Sequence, residues 1–99
     1  MINKGEIKEL FKNENYIDII NIFKKEYTNM VIEFAKKHNI YIDNSTEVEE
    51  LILIISSTLP QYEGYMNTIS KIITSQDFTI GEEINYMLDN YNHIKKALT

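Results

Sequence analysis

Acid–base, metal and nucleophilic chemistry in proteins falls mainly to His, Cys, Asp, Glu and Lys, and this chain places few of them at useful spacings. It has no cysteine, which removes thiolate catalysis, disulfides and every Cys-containing zinc site. Two histidines remain, His38 and His93. His93 follows Asp89 by four positions, so on a helix both lie on one face. That spacing could suit half a metal site or a carboxylate-oriented imidazole base, but the expected reading is a surface ion pair. No third ligand lies at a helical spacing nearby. His38 follows Lys36 and Lys37, where cations offset the negative end of a helix dipole.

The acidic pairs Glu49-Glu50 and Glu82-Glu83 are the other candidates for ligands. Adjacent helical residues point in different directions, so neither pair chelates by itself, and each falls where a first helical turn welcomes negative charge. There is no His-Glu-x-x-His, no phosphate-binding glycine loop and no Gly-x-Ser-x-Gly. No catalytic set, metal or cofactor is therefore expected. Seven tyrosines are many for 99 residues. Most fall on apolar stripes, while Tyr62, Tyr65 and Tyr86 are expected to stay partly exposed, as an interface would use them.

The net charge is −5, and all ten basic residues are lysine. An acidic chain without arginine lacks both the attraction to phosphate backbones and the planar bidentate reader of guanine, so nucleic-acid binding is disfavoured. A protein partner or a homodimer is the expected binding mode. The N-terminal residues lack a basic stretch followed by an apolar one, and the longest apolar run, Leu51 to Ile55, is far too short to span a membrane. A cytoplasmic protein is expected, and the wealth of Ile, Asn, Lys and Tyr suits a low-GC bacterium or its phage.

A chain of 99 residues supports one domain, residues 1–99, and 43% hydrophobic with 25% charged residues is a globular composition. Three glycines and one proline leave little turn material, so long regular segments are expected. The pattern is helical throughout. Tyr16, Ile20, Phe23, Tyr27, Met30 and Phe34 recur at steps of four and three, the seam of a long amphipathic helix, with Ile19, Val31 and Ala35 widening it. Asn39 is a plausible stop. Thr46 to Glu49, Thr58 to Gln61 and Thr79 to Glu82 each read as a capping box. Pro60 is read as a break, a kink being the alternative. The run 51–55 leaves Leu53 and Ile54 to be covered elsewhere. The expected fold is an all-α four-helix bundle with a short additional N-terminal helix, its helices near 5–12, 16–38, 47–59, 60–75 and 80–97.

Leu10 to Phe23 resembles the helix–turn–helix junction of one tetratricopeptide unit, without a second copy at the repeat period. The order of helices over most of the chain is similar to that of HEPN domains, small helical proteins of prokaryotic nucleotide-linked and defence systems. The ribonuclease signature of that family is an Arg, four to six residues, then a His, before the last helix. The matching stretch here is Lys71-Ile72-Ile73-Thr74-Ser75-Gln76. Gln76 cannot transfer a proton and Lys71 cannot match a guanidinium at a phosphate, so the resemblance implies a non-catalytic member. The leading expectation is a non-catalytic interaction or regulatory module, of antitoxin, immunity or accessory type. The alternative is a HEPN-derived nucleotide-binding protein or ribonuclease with a degenerate site, using Lys71, Asp77, Asp89 and His93.

Overall fold

The computed structural model describes residues 4–40, 42, 43, 45–74 and 80–99, and every regular element among them is helical. Helix α1 spans Lys4–Lys12, α2 Tyr16–Lys37, α3 Val48–Thr58, α4 Glu63–Thr74 and α5 Ile80–Leu98, with a 3₁₀ turn Pro60–Tyr62 leading into α4. The chain is an all-α bundle. No helix among the described residues is long and apolar enough to cross a membrane.

Helix α2 is the axis of the bundle and packs against α1, α3, α4 and α5. Its 22 residues reach about 33 Å at 1.5 Å per residue, most of the 41 Å long dimension. The buried face consists of Ile19, Ile20, Phe23, Tyr27, Val31, Phe34 and Ala35. Tyr16 and Met30, placed on the seam by their spacing, are only partly buried, because the face turns towards Ile19 and Val31. Around it Ile7 of α1, Leu51, Ile52 and Ile55 of α3, Met66, Ile69 and Ile72 of α4, and Ile84, Met87, Tyr91, Ile94 and Leu98 of α5 complete the core. Phe23, Tyr27 and Tyr91 form an aromatic triangle with centroids 6.1–6.5 Å apart. Edge-to-face pairs of this kind add to plain area burial. Within the triangle Tyr27 Oη donates a 2.7 Å hydrogen bond to the Met87 carbonyl, tying α2 to α5.

Both junctions flanking α2 end a helix in the same way. Glu14 and Asn39 adopt left-handed backbone, φ 59° and 58°. Asn15 N–H bonds Leu10 O and Glu14 N–H bonds Phe11 O; Ile40 N–H bonds Ala35 O and Asn39 N–H bonds Lys36 O. This is the Schellman arrangement, which satisfies the last carbonyls of a helix. Asn39 suits the left-handed position and makes the expected stop.

Two of the expected capping boxes do not form. The Thr46 hydroxyl donates to the Asp43 carboxylate at 3.1 Å and accepts from Asp43 N–H at 3.3 Å, so the loop takes the group that the helix would have used. Glu47 becomes the residue before α3, with no side-chain cap. The same Asp43 carboxylate accepts from Ser45 Oγ at 2.6 Å and Ser45 N–H at 2.8 Å. These bonds, from Ser45 first and then Thr46, hold the Asp43 carboxyl below the usual carboxylate range. Thr58 does not cap either: Leu59 (φ −127°) separates α3 from the turn, and Pro60 opens that turn at a position that needs no N–H donor. Pro60 is thus a break, as expected. The third box, Thr79 to Glu82, lies outside the described residues.

Gly64, near the start of α4, has open space where a Cβ would go, with nothing within 4 Å. Its replacement by alanine restricts the unfolded chain without a clash in the folded one. Gly64→Ala is therefore expected to stabilise the protein by about 0.4–1 kcal/mol. Urea unfolding monitored by circular dichroism checks this, and an unchanged or lower midpoint counts against it.

A candidate interface of stacked rings

Phe34 lies in the last turns of α2, and four residues on is His38, so both rings share one face. Their centroids are 4.3 Å apart. The turn opened by Pro60 delivers Tyr62 onto the same spot, 4.7 Å from Phe34 edge to face and 6.1 Å from His38. Tyr65 follows one helical turn later, 6.3 Å from Tyr62. Across the next groove the ring of His93 on α5 stands 5.6 Å from Tyr65. His38, Tyr62, Tyr65 and His93 thus form a continuous strip over α2, the 3₁₀ turn, α4 and α5. The two histidines are exposed and the two tyrosines half-buried.

Beside the strip, Gln61, Gly64, Tyr65, Thr68, Asn90 and His93 line a shallow groove of about 220 Å³. Gly64 keeps the α4 wall low, since it carries no side chain. Tyr86 is 39% exposed and lies a turn before Asn90, whose side-chain amide donates to the Tyr86 carbonyl at 2.8 Å. Tyr86, Asn90 and His93 fall at i, i+4 and i+7 of one α5 face. Two of the three tyrosines picked from the sequence therefore sit in the strip, and the third flanks its groove.

The other candidates do not converge on it. Asp89 lines a separate groove of about 360 Å³ with Ile7, Lys8, Leu88 and Asn92, between α1 and α5. Among the described residues no side-chain hydrogen bond or ion pair joins Asp89 to His93, so the surface ion pair expected from their spacing does not form. Lys71 is exposed in the last turn of α4 and lines neither groove. Gln76 and Asp77 lie outside the described residues, as do the side chains of Glu82 and Glu83. Glu49 and Glu50 are exposed in the first turn of α3. Among the described residues no three His, Asp or Glu side chains are placed to hold a metal ion.

The strip has the chemistry of recognition. Half-buried tyrosines present flat apolar faces with little rotamer freedom left to lose, plus a hydroxyl for one hydrogen bond. The histidines add donors and acceptors at both ends. His38 and His93 enter the strip through tertiary packing, which places residues 38, 62, 65 and 93 side by side. The sequence signal that could have found His38 is its i, i+4 relation to Phe34. Comparison with protein-family models, curated proteins and solved structures finds no match to this chain.

Proposed function

We propose that this protein is a non-catalytic interaction module that binds a partner protein through the His38–Tyr62–Tyr65–His93 strip. The observation that carries this reading is the unbroken ring-to-ring contact, 5.6–6.3 Å between successive centroids, along a surface built from four elements. Rings pre-packed against each other lose little freedom on binding, the property that makes tyrosine a frequent interface anchor. A regulatory or accessory role, in which the module covers a partner, follows from that chemistry.

The test is the Tyr62→Ala/Tyr65→Ala double variant. Truncating two anchors removes roughly 2 kcal/mol or more of binding free energy, so retention of the partner recovered with the wild-type protein is expected to fall about thirtyfold or further. The variant should stay helical by circular dichroism, and Lys71→Ala, off the strip, should bind as wild type does. A wild-type protein that is monomeric by light scattering and retains no partner would sink the reading. So would a double variant that binds undiminished.

A further inference from the structure

Helix α3 carries two large apolar side chains left uncovered by the described residues: Leu53 is 68% and Ile54 37% exposed. Leu53 lines a groove of about 550 Å³ between α3 and α4, together with Glu49, Ser56, Glu63, Asn67 and Ser70. The short connection 59–62 makes α3 and α4 an antiparallel hairpin, so Glu49 and Glu63 lie towards opposite ends of this groove. The groove sets the exposed Leu53 among the polar side chains of Ser56, Ser57, Asn67 and Ser70, with a carboxylate at each end.

Charge along the chain is distributed to match. Residues 39–70 contain Asp43, Glu47, Glu49, Glu50 and Glu63 and no lysine, whereas the rest of the chain holds ten acidic and ten basic residues. Residues 39–70 therefore carry a charge equal to the whole net charge of −5, and Lys71 in the last turn of α4 brings the hairpin with its preceding loop to −4. All five carboxylates are exposed. On a helical surface solubility is ordinarily served by mixed charge, and Lys71 at the far end of α4 is the first cation met after Lys37.

We propose that the α3–α4 groove docks a basic amphipathic helix of a partner protein, its apolar stripe on Leu53 and its Lys or Arg side chains towards Glu49 and Glu63. Helices commonly lie in such grooves, apolar face down and charges at the rim. Charge selects this occupant over the others. A second copy pairing α3 with α3 would bring five carboxylates against five, with a single cation, Lys71 at the end of α4, in each hairpin. Nucleic acid and anionic lipid are repelled by the same field. The surface is separate from the ring strip: on α4, Tyr65 and Thr68 face the strip's groove while Asn67 and Ser70 face this one. The two proposals thus stand or fall independently.

The probe is a synthetic helical peptide of about 18 residues, about five turns, with a leucine stripe and lysines elsewhere. Its controls are the same peptide with glutamate for lysine, and a scrambled peptide of identical composition. Amide shifts of the full-length, ¹⁵N-labelled chain are expected to move around Leu53, Ser57, Glu63 and Asn67. Leu53→Asp and Glu49→Lys/Glu63→Lys should each weaken binding roughly tenfold or more, and added salt should weaken it further. All three substituted residues are exposed, and unchanged circular dichroism verifies the fold; Leu53→Ala serves as a milder second variant. Shifts centred elsewhere, equal binding of either control peptide, or a concentration-dependent dimer abolished by Leu53→Asp would each overturn the proposal. Failure here leaves the Tyr62→Ala/Tyr65→Ala result untouched, and failure there leaves this one standing.

Discussion

Tyr27→Ala is expected to destabilise the protein by about 3–5 kcal/mol, and Tyr27→Phe by only about 1 kcal/mol. Tyr27 is 0% exposed, its ring packs 6.5 Å from Phe23 and 6.1 Å from Tyr91, and its hydroxyl donates to the Met87 carbonyl. Alanine empties the centre of the triangle, whereas phenylalanine keeps the packing and forfeits one buried hydrogen bond. Against a total stability of about 5–15 kcal/mol for a domain of this kind, the alanine variant loses a large share. Urea denaturation of the three proteins orders them, and a Tyr27→Ala variant within 1 kcal/mol of Tyr27→Phe would contradict the packing argument.

The same residue gives the protein a dependence on alkaline pH. Burial first, then the neighbouring Tyr91 and Tyr86, pushes the Tyr27 phenol well above its ordinary value. In the unfolded chain the phenol titrates near pH 10. Below that pH both states hold the proton and the contribution of Tyr27 is fully present. As pH rises further the unfolded state ionises first, so stability is lost progressively towards the raised folded value. Tyr27→Phe has no such proton. The advantage of wild type over Tyr27→Phe is therefore expected to shrink above about pH 10, and a constant gap between the two would refute the linkage.

Ile55→Ala is expected to cost about 2–5 kcal/mol, while Leu53→Ala, two residues earlier on the same helix, changes stability by no more than about 0.5 kcal/mol. Ile55 is 0% exposed between α2 and α4, and its truncation leaves a cavity that the rigid neighbours only partly fill. Leu53 at 68% exposure already faces water. Thermal and urea midpoints of the two variants separate the alternatives. A loss of 2 kcal/mol at Leu53 would show that this side chain belongs to the core, and would remove the reason to seek a partner for it.

Helix positions were legible because period and punctuation agree. Where the residues on both sides are described, each helix end lies within one residue of its expected position when the Pro60–Tyr62 turn is counted with α4. Asn39 ends α2 as its tolerance of left-handed backbone predicts. The caps were not legible in the same way. Thr46 can serve the first N–H groups of α3 or the Asp43 carboxylate, and a local pattern cannot rank two partners of similar strength. Thr58 failed for a different reason: Leu59 leaves the helical path before the turn begins, so its hydroxyl is on the wrong side of the break. At the candidate interface, Tyr62 and Tyr65 were legible as aromatic residues on the margin of an apolar stripe. Their union with His38 and His93 was not, because it depends on how α2 and α5 meet α4. The exposure of Leu53 was readable in part: the run 51–55 has more apolar residues than one helical face can bury.

The bond between Tyr27 and Met87 spans 60 positions of the chain. During synthesis at about 5–20 residues per second, Tyr27 is added to the chain roughly 3–12 s before the carbonyl that completes its site exists. The Phe23–Tyr27 face of α2 waits, wet and apolar, for α5. A nascent copy is open to chaperones and proteases for at least that interval.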